Sequence, residues 1–527
     1  DSFIFTPNYS NNTSAVFVSI RQISDPSCFK RDTILITTGA AESPLWEVNT
    51  EYCLTDNRVL IDYNRTVNTG VFGVQSPTDP NSIIFENGNW YFDPNVAGEG
   101  AHIITHYVCG DSLNDVFNVS PIPCVSTPFN NPGSRPDGIY TTCEGEVYFS
   151  DTERNSIWKI DVDGNQTVIL GNPSSAYANS VVGGCETPLA VAPYTDEDID
   201  RDGFKTSARI ACPRGLVVVE ETGVIYFNDS KNHKVKKFDP NTGFVTTVVG
   251  PVLRTGGDNP AGNSTTEVNG DAAVLSFPWG MTIDCDNNNL YITEKNNRKV
   301  RRIKIPDGTL SFPNTYLTSN LVGAGATSII GATPTNGLDI EFGFDFKSHL
   351  MYVNEQLYIP DPENSLIAIY DIATDQTEEY LSQSNGFGTW SDGPEGPSLT
   401  NGIIRFAPDD GMGVAKKSNS DFLFFSDDGD FAIRTIGDDD TIRTVAGSPP
   451  PNRIAGDDGG SPFNARFGSP TAMSYGADNF LYICDSYNGG PAGQIGSIRK
   501  VAFGNEVLGP FGEMDSIYCL NSPQDTI

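Results

Sequence analysis

Three aspartates at alternate positions are followed by a glycine in the middle of the chain, as Asp198, Asp200, Asp202 and Gly203. Carboxylates at this spacing, with Gly at the sharp turn, are typical of the opening of a calcium-binding loop. The twelfth position of such a loop supplies a bidentate Glu, but here it is Arg209. The sequence therefore leaves two interpretations: a calcium site at the three aspartates, or an Asp-Gly turn without a metal.

The chain has only four histidines, His102, His106, His233 and His349. His102 and His106 are four residues apart, so a regular strand would turn both imidazoles to one side. No third metal ligand accompanies them, and we interpret them as partly exposed strand residues and the other two as structural residues. The sequence also shows no Gly-x-Ser-x-Gly elbow and no phosphate loop. We therefore expect no catalytic constellation and predict that the protein is not an enzyme.

Ten cysteines form no C-x-x-C pair, so neither a zinc site nor a redox motif is indicated. Their even number predicts disulfides, for which the candidates are Cys28, Cys53, Cys109, Cys124, Cys143, Cys185, Cys212, Cys285, Cys484 and Cys519. The pairs that are near in sequence are Cys28 with Cys53, Cys109 with Cys124, Cys185 with Cys212 and Cys484 with Cys519. This pairing leaves Cys143 and Cys285 for a long-range link, or for a re-pairing that includes Cys519.

Eight Asn-x-Ser/Thr sequons predict N-linked glycans at Asn8, Asn11, Asn12, Asn64, Asn118, Asn165, Asn228 and Asn263. Together with the cysteines, and with Asp1 rather than Met as first residue, they predict a secreted, extracellular glycoprotein after signal-peptide removal. Every sequon lies at or before Asn263. Because glycans prevent close packing, we expect a neighbouring subunit to dock on the later part of the chain.

The 67 acidic residues outnumber the 33 basic ones and give a formal net charge of −34. Nucleic acids and anionic membrane surfaces require a basic face, so the charge argues against both as partners. No stretch approaches the roughly 18 continuous apolar residues of a membrane span. We therefore expect protein partners, with calcium as the one cofactor that the sequence suggests.

These polar motifs are positioned by short strands that recur through most of the chain. Residues 213–238 contain three runs rich in β-branched and aromatic residues, separated by Gly, Asn and Asp. This pattern predicts an antiparallel meander. A single sheet of this size cannot bury its own apolar face, so it requires copies of itself.

The copies share four features in the same order: Pro-x-Gly, an apolar-Tyr-apolar strand with a terminal acid, a strand that follows Asn and carries basic residues, and Val-x-Gly. The terminal acids are Asp151, Asp229, Glu294, Asp361, Asp427 and Asp485. An acid that recurs in every unit is more typical of a turn cap than of a catalytic group. Six such units with four strands each predict a propeller.

The repeated pattern resembles the NHL-repeat β-propeller family over roughly residues 130–510, and His233, within Asn232-His233-Lys234, lies at the position of the family's name-giving triplet. The resemblance implies a six-bladed ring whose loop faces bind partners. Peptidyl-hydroxyglycine lyases of similar fold hold zinc on channel histidines, and the matching segments 216–219 and 281–284 carry none. Gluconolactonase-like propellers hold calcium at the channel mouth, for which Asp284 is a single candidate ligand.

Residues 1–125 do not follow this pattern and predict about seven strands at the spacing of a β-sandwich. The strands are expected at residues 15–20, 33–37, 59–63, 82–85, 89–92, 102–108 and 115–119. The run from Phe92 to Cys109, with Phe-Asp-Pro, a Gly-rich turn and an alternating strand, resembles the last hairpin of immunoglobulin-like adhesin repeats. The alternative is a seventh propeller unit around Trp90.

We therefore predict an all-β chain with an immunoglobulin-like β-sandwich at residues 1–125, a Pro-rich linker at 126–135 and a six-bladed NHL-type β-propeller at 136–527. The predicted role is that of a secreted, glycosylated structural or adhesive protein whose propeller mediates protein–protein assembly. A repeating subunit of an extracellular fibre or flagellar hair is one such role. The alternative is a calcium-dependent lactonase or hydrolase with a site in the central channel. Three or more Asp, Glu and Asn side chains converging at one channel mouth would favour that alternative.

Overall fold

The computed structural model describes residues 16–21, 29–34, 51–53, 56, 58–61, 71–75, 78–86, 89–108, 111–120, 124–171, 185, 200–205, 207–250, 268–306, 316–323, 335–337, 340–343, 346–364, 366–382, 393–394, 412–416, 422–427, 431–436, 441–447, 462, 465–486 and 495–503. The fold of these residues is all-β, with one α-helix of four residues and three short 3-10 helices. None of the helices found in these ranges is long and apolar enough to cross a membrane.

The N-terminal part contains nine described strands and a short helix. They are β1 (Val16–Arg21), β2 (Phe29–Ile34), β3 (Glu51–Cys53), β4 (Val59–Leu60), β5 (Val71–Val74), a 3-10 helix (Pro80–Ser82), β6 (Ile83–Glu86), β7 (Asn89–Phe92), α1 (Pro94–Ala97), β8 (Gly100–Val108) and β9 (Asp111–Ser120). The seven predicted strands each overlap one of these. The sequence missed β3 and β5, which have three and four residues.

Two sheets of the N-terminal part share one apolar core. One has the strand order β3-β9-β8-β5 and the other β4-β7-β6, while β1 and β2 form a separate hairpin. The core contains Tyr52, Ile61, Phe72, Phe92, Ile104, Phe117 and Val119. Because these residues come from both sheets, the two sheets pack face to face.

The Phe-Asp-Pro motif begins α1. The Asp93 carboxylate accepts hydrogen bonds from the backbone N–H of Asn95 and Val96, at 3.0 and 3.3 Å. Pro94 stands at the first helical position, where its missing N–H costs nothing. The motif therefore turns the chain from β7 into β8.

Six sheets follow, numbered here in chain order by their innermost strands. The strand β10 (Cys124–Pro132) precedes them. Sheet 1 has β11 (Pro136–Thr141), β12 (Val147–Asp151), β13 (Ser156–Ile160) and β14 (Gln166–Gly171). Sheet 2 has β15 (Gly203–Phe204), β16 (Pro213–Val219), β17 (Val224–Asp229), a 3-10 turn (Ser230–Asn232), β18 (Lys234–Asp239) and β19 (Phe244–Val249). Sheet 3 has β20 (Val268–Asn269), a 3-10 turn (Gly270–Ala272), β21 (Pro278–Ile283), β22 (Asn289–Glu294), β23 (Lys299–Lys304) and β24 (Leu317–Val322).

The remaining strands complete three further sheets. Sheet 4 has β25 (Thr335–Asn336), β27 (Met351–Val353), β28 (Gln356–Asp361), β29 (Leu366–Asp371) and β30 (Gln376–Ser382), while β26 (Ser348–His349), which precedes β27 in the chain, pairs with sheet 5. Sheet 5 has β31 (Gly393–Pro394), β32 (Met412–Lys416), β33 (Leu423–Asp427), β34 (Ala432–Ile436) and β35 (Thr441–Ala446). Sheet 6 has β36 (Pro470–Tyr475), β37 (Phe480–Asp485) and β38 (Ile495–Ala502). The second and third strands of all six units thus lie where the repeats predict them.

The inner strands contact one another in a closed cycle, from β11 through β16, β21, β26, β32 and β36 back to β11. The strands β26 and β32 form a parallel pair within sheet 5, in which Ser348 lies opposite Met412. The apolar cores lie between consecutive sheets: one joins Ile157 of sheet 1 to Leu216 of sheet 2, and another joins Ile139 of sheet 1 to Cys484 of sheet 6. Each sheet therefore buries both of its faces against its neighbours.

The glycine of Pro-x-Gly is required by close approach between neighbouring sheets. A Cβ on Gly138 would lie 2.5 Å from the Arg214 carbonyl oxygen, and one on Gly280 would lie 2.2 Å from the Ser348 carbonyl oxygen. Real Cβ atoms do not approach oxygen this closely, because the van der Waals surfaces would overlap. The motif thus sets the distance between consecutive inner strands.

The glycine that ends the fourth strand is required by the turn before the third strand. Gly171, Gly250, Gly323 and Gly447 have φ between 84° and 116°, a region that L side chains rarely adopt. A Cβ on Gly171 would lie 2.3 Å from the Asn155 carbonyl oxygen. Asn155 and His233 precede their third strands with positive φ as well, at 48° and 57°. The glycine after the fourth strand and the residue before the third strand therefore lie next to each other, and both fix the backbone there through a positive φ.

The Asp-Gly linkers form a fifth, outermost strand in sheets 2 to 5, where the sequence predicts four strands. The two-residue strands β15, β20, β25 and β31 pair with β19, β24, β30 and β35. The dipeptides Asp202-Gly203 and Asn269-Gly270 lie at two of these strands. The linkers thus cover the outer sheet edges, which would otherwise expose unpaired backbone groups.

The predicted linker at residues 126–135 is wrong, because most of it belongs to β10. This strand pairs with β38 and supplies the fourth strand of sheet 6, with Cys124 opposite Ala502. A long-range pairing of this kind leaves no local signal in a Pro-rich segment. The start and the end of the repeated region are therefore joined within one sheet.

Candidate functional site

Four side chains from different inner strands lie together at the centre of the six sheets. Three of them are middle residues of Pro-x-Gly, and the fourth is at the equivalent position of β26. They are Asp137 of β11, Arg214 of β16, Trp279 of β21 and His349 of β26, here called the central cluster. The strands β11 and β26, which carry Asp137 and His349, are three steps apart in the cycle of six inner strands. Their contact therefore crosses the space that the inner strands surround.

The central cluster is held by charge and by ring contacts. The Arg214 guanidinium forms an ion pair with the Asp137 carboxylate, and neither side chain is exposed. The guanidinium carbon lies 3.3 Å from the centroid of the Trp279 ring, which is a cation–π contact. Trp279 Nε1 donates a hydrogen bond to His349 Nε2 at 3.1 Å, and the same nitrogen lies 3.0 Å from Asp137 Oδ1.

The two contacts of His349 Nε2 require different protonation states. Neutral imidazole with its proton on Nδ1 accepts the Trp279 hydrogen bond, while imidazolium would donate to Asp137. When Trp279 Nε1 donates its hydrogen bond to His349, Asp137 Oδ1 accepts no hydrogen bond from the described residues. The structure thus gives His349 a partner for either state, and these contacts fit the structural role that the sequence analysis assigned to it.

Charge stabilisation keeps Asp137 ionised. Burial raises the pKa of this carboxyl, but the Arg214 guanidinium and His349 outweigh burial and hold the pKa below its ordinary value. An ionised carboxylate paired with a guanidinium is suited to joining sheets 1 and 2, and it has no proton to donate near neutral pH.

Two further lysines surround the indole of Trp279. Lys295 Nζ and Lys347 Nζ lie 5.3 and 5.7 Å from the ring centroid. Both lysines are buried. The centre of this strongly acidic protein is therefore locally basic, with Arg214 and two lysines around one aromatic ring.

The recurring acids at the ends of the second strands are buried caps of the backbone. Asp229 accepts the N–H of Ala211 at 2.6 Å, and Asp361 accepts the N–H of Gly343 at 2.9 Å. Asp151 does the same for Arg135 at 3.0 Å. Burial raises the pKa of Asp151 to about 6, against the backbone hydrogen bonds that lower it. These contacts fit the predicted capping role.

Four of these acids also form buried ion pairs within their own sheet. The pairs are Asp229 with Lys236, Glu294 with Arg301, Asp427 with Arg434 and Asp485 with Arg499. In the first three the basic residue comes seven positions later in the chain. At the corresponding positions after Asp151 and Asp361 stand Trp158 and Ala368.

The structure contradicts the calcium interpretation for Asp200 and Asp202 and favours the Asp-Gly turn. Lys236 Nζ lies 2.7 Å from Asp200 Oδ1 and 3.6 Å from Asp202 Oδ1, and Lys234 Nζ lies 2.5 Å from Asp200 Oδ2. Burial lowers the pKa of Lys236, but Asp229 and these carboxylates outweigh burial and raise the pKa. Protonated lysines therefore occupy the place of a cation. Asp198 lies outside the described residues.

No other described residues form a metal site: the described ranges contain no group of three His, Cys, Asp or Glu placed to hold an ion. Asp284 accepts the backbone N–H of Asn288 and Asn289, at 2.8 and 3.0 Å, and so caps a turn. His233 Nδ1 accepts the backbone N–H of Phe277 at 3.0 Å and thereby joins sheets 2 and 3. The structural interpretation of His233 fits this contact.

His102 and His106 are buried, whereas the sequence analysis expected partial exposure. His102 Nδ1 lies 2.9 Å from the Thr78 hydroxyl, and His106 stacks on Phe72 with ring centroids 4.3 Å apart. Both therefore face the core between the two N-terminal sheets, on the same side of β8 as predicted.

The disulfides agree with one predicted pair and contradict the other three. Cys185 is bonded to Cys212 as expected, but Cys53 is bonded to Cys124, which excludes the pairs Cys28–Cys53 and Cys109–Cys124. The reason is that β10 joins sheet 6 beside β3, with the two Cα atoms 6.0 Å apart. Cys143 also forms a disulfide, with a partner outside the described residues.

Cys484 and Cys285 are free thiols, contrary to the prediction. Cys484 lies in β37 within the apolar core between sheets 6 and 1, and burial raises the pKa of its thiol well above the usual value. Cys285 lies in an exposed turn. The protein atoms around its thiol still remove part of the water, and this desolvation, together with the charges of Asp284 and Asp286, raises the pKa of the thiol. Cys28, Cys109 and Cys519 lie outside the described residues.

The structure contradicts the glycosylation of Asn228. Its side chain is fully buried, and Nδ2 donates hydrogen bonds to the carbonyl oxygens of Trp279 and Gly280 at 2.9 and 3.0 Å. A glycan on this nitrogen would replace one of the two donated hydrogens, and its bulk would have to separate sheets 2 and 3. Asn165 Oδ1 accepts a hydrogen bond from the Tyr91 hydroxyl of the N-terminal part at 2.9 Å. Asn8, Asn11, Asn12, Asn64, Asn263 and the side chain of Asn118 lie outside what the structure describes.

Comparison with known proteins concerns the same repeated sheets. Residues 141–304 match the family model of the teneurin NHL domain. Protein SUPPRESSOR OF QUENCHING 1, chloroplastic, of Arabidopsis thaliana is 30% identical over 221 residues, which are 40% of this chain and 18% of that protein. NHL repeat-containing protein 2 of Bos taurus is 26% identical over 193 residues, which are 36% of this chain and 23% of that protein. The chain spans about a fifth of the length of these relatives.

Two solved structures are similar at low identity. A structural genomics protein of unknown function from Bacteroides thetaiotaomicron has 15% identity and a TM-score of 0.45, over 88% of this chain and 100% of the other. An auxiliary nutrient binding protein from Bacteroides ovatus has 14% identity and a TM-score of 0.44, over 86% of this chain and 99% of the other.

Proposed function

We propose that this chain, whose repeated sheets are those of an NHL-type β-propeller, is a protein-binding building block that acts outside the cell. The family match at residues 141–304 and the NHL-repeat relatives support the propeller. We further propose that the six sheets form one six-bladed ring. The closed cycle of inner-strand contacts, and the pairing of β10 with β38, support this ring.

The single observation that carries the binding role is that the outer part of the propeller already binds a protein domain. The N-terminal part delivers Asp56 to Lys500 of sheet 6, with Oδ1 3.2 Å from Nζ. On sheet 1, Arg58 Nη2 lies 3.2 Å from Asp163 Oδ1. The disulfide between Cys53 and Cys124 adds a covalent link. The faces of sheets 6 and 1 are thus built to bind protein.

This attachment also suits a structural or adhesive role. Two parts that are fixed by a disulfide, by the buried ion pair of Asp56 with Lys500 and by the partly exposed pair of Arg58 with Asp163 move together. A repeating subunit needs such a fixed shape to assemble in one geometry. The immunoglobulin-like resemblance of the N-terminal hairpin, which belongs to the face-to-face sheets, fits an adhesive protein. We propose self-assembly or assembly with other extracellular proteins, with glycans on sequons other than Asn228.

Disulfides support the proposed location, since they form and persist in oxidising compartments. Cys53–Cys124 and Cys185–Cys212 are both buried. No reaction is part of the proposal: the ionised Asp137 is neutralised by Arg214, and the described acids of the repeats cap backbone turns.

The mass of the native particle tests this function. Light scattering and electron microscopy of the secreted chain, with and without a calcium chelator, should reveal filaments or large oligomers that persist in the chelator. A monomer at every concentration, with no partner in cross-linked cell-surface material, would refute the building role. A monomer that changes its state with calcium would favour the lactonase-type alternative, and lactone and ester substrates would then be tested.

A further inference from the structure

Three side chains lie next to one another across the second, third and fourth strands of four sheets. Each set has a tyrosine, a basic residue and a hydroxyl residue at directly opposite positions, and we call each set a cross-strand triple. They are Tyr148, Lys159 and Thr167 in sheet 1; Tyr226, Lys237 and Thr246 in sheet 2; Tyr291, Arg302 and Ser319 in sheet 3; and Tyr482, Lys500 and Ser126 in sheet 6. Opposite residues share one face of a sheet, so each triple presents a cation and a hydroxyl side by side.

In sheet 6 the cross-strand triple binds a carboxylate that another domain delivers. Asp56 of the N-terminal part places Oδ1 3.2 Å from Lys500 Nζ and accepts a hydrogen bond from the Ser126 hydroxyl at 2.9 Å. All three residues are buried. In sheet 1 the basic residue is also matched with a carboxylate, since Lys159 forms an ion pair with Glu146. In both sheets the basic residue of the triple therefore pairs with a carboxylate, and in sheet 6 the hydroxyl residue binds the same carboxylate.

In sheet 2 the cross-strand triple lines an open cleft between sheets 2 and 3. The cleft has a volume of about 490 Å³, and its lining includes Tyr226, Lys237, Thr246 and Tyr316. The hydroxyls of the two tyrosines are 3.2 Å apart, and Lys237 Nζ lies 6.0 Å from the centroid of the Tyr316 ring. Asp271 also lines the cleft, but among the described residues no carboxylate forms an ion pair with Lys237.

We propose that this cleft binds one carboxylate of an acidic segment of a partner protein, with Lys237 and Thr246 in the roles of Lys500 and Ser126. The inference rests on the proposed protein-binding function and names the chemistry of the partner. The structure itself supplies the precedent, because an aspartate from a folded domain fills the equivalent position on sheet 6. The tyrosine hydroxyls add neutral donors beside the ammonium, which suits a carboxylate with its two acceptor oxygens.

Binding of a small acidic peptide to the full chain tests the cleft. Lysines are labelled by reductive ¹³C-methylation, the Lys237 signal is assigned with Lys237→Arg, and the peptide acetyl-Gly-Asp-Gly-amide is titrated. The Lys237 signal should shift saturably with this peptide and not with acetyl-Gly-Asn-Gly-amide. Isothermal titration should show a Kd raised by about tenfold or more in Lys237→Met, as expected for a lost charge-assisted hydrogen bond. Lys159→Met, whose ammonium is already paired, should leave the Kd unchanged.

A second arm separates a protein carboxylate from a sugar acid and from failure of the proposed function. If glucuronic acid shifts the Lys237 signal and the Asp peptide does not, or if neither shifts it, the inference is wrong. In one outcome the wild type and Lys237→Met form the same oligomers, but the Asp peptide does not bind. This outcome would refute the carboxylate site in the cleft and support the proposed assembly function. If the peptide binds through Lys237 but the native chain stays monomeric without partners, the cleft is supported and the building role falls.

Discussion

Removing the Arg214 guanidinium tests how the central cluster holds the inner strands. The side chains of Arg214 and Asp137 are both fully buried, so Arg214→Met leaves a carboxylate in the interior without its main cation. Breaking a buried ion pair on one side costs about 3–5 kcal/mol. The lost cation–π contact with Trp279 moves the expected cost toward the upper end of this range. We expect the free energy of unfolding at pH 7 to fall by about 4–5 kcal/mol.

Urea denaturation of four proteins measures this cost: the wild type, Arg214→Met, Asp137→Asn and the double variant. Tryptophan fluorescence is a suitable signal, because the guanidinium lies directly over the Trp279 ring. The double variant buries no unpaired charge, so its cost should be below the sum of the single costs by about 1.5–3 kcal/mol. Arg298→Met is the matched control. Its ion pair with Glu341 is 31% and 38% exposed, and its loss should cost less than about 1 kcal/mol.

The pH dependence gives an independent check on Asp137. In the wild type its pKa is below the ordinary value, so its contribution to stability is present above the unfolded-state pKa and is lost as the pH falls through the folded-state pKa. In Arg214→Met burial acts without the guanidinium, so the carboxyl takes up a proton on acidification and the penalty disappears. The difference between wild type and variant should therefore shrink from about pH 7 to about pH 4. A cost below about 1 kcal/mol at pH 7, or a difference that does not depend on pH, would refute the reasoning.

Three other outcomes follow from single positions. The pKa of Asp151 is raised from 3.8 to about 6 in the folded state, so the wild type loses stability as the pH rises between these values. In urea titrations the stability of Asp151→Asn relative to the wild type should therefore increase by about 2–2.5 kcal/mol from pH 4 to pH 7. Gly280→Ala would place Cβ 2.2 Å from the Ser348 carbonyl oxygen, and the same titrations should show a loss of about 3 kcal/mol. Mass spectrometry of glycopeptides should find Asn228 unmodified, because its amide nitrogen is bonded inside the protein; a glycan there would contradict the packing of sheets 2 and 3.

Local patterns predicted what local chemistry determines. The turn residues and the alternation of apolar side chains gave the second and third strands of all six sheets, and the recurring acids gave the caps. The recurring acids could be predicted as caps because each cap joins groups less than twenty residues apart, as the buried contacts of Asp229 and Asp361 show. The pairing of Cys185 with Cys212 could also be predicted, because the two residues are only 27 positions apart in the sequence.

Contacts between distant segments could not be predicted in this way. The strand β10 pairs with β38 although more than 360 residues separate them, and no periodicity near Cys124 indicates this partner. The error in the disulfides has the same origin, because Cys53 meets Cys124 only once β10 has joined sheet 6. His349 is far from Asp137 in the sequence and meets it only when the inner strands β11 and β26 face one another.

The recurring acid also shows which of its two interactions the fold requires. The acid accepts a backbone hydrogen bond in sheets with a basic partner, as at Asp229, and in sheets without one, as at Asp151. An unpaired buried carboxylate is costly, as the raised pKa of Asp151 shows. Its presence without a salt bridge therefore indicates that the N–H groups of the linker before the inner strand need an acceptor, and that the ion pair is a secondary gain. An amide oxygen would serve as that acceptor, whereas an apolar residue would leave the N–H buried and unpaired. Asp151→Leu should therefore destabilise the protein at every pH, unlike Asp151→Asn, and equal stability of the two variants in urea would contradict this account of the cap.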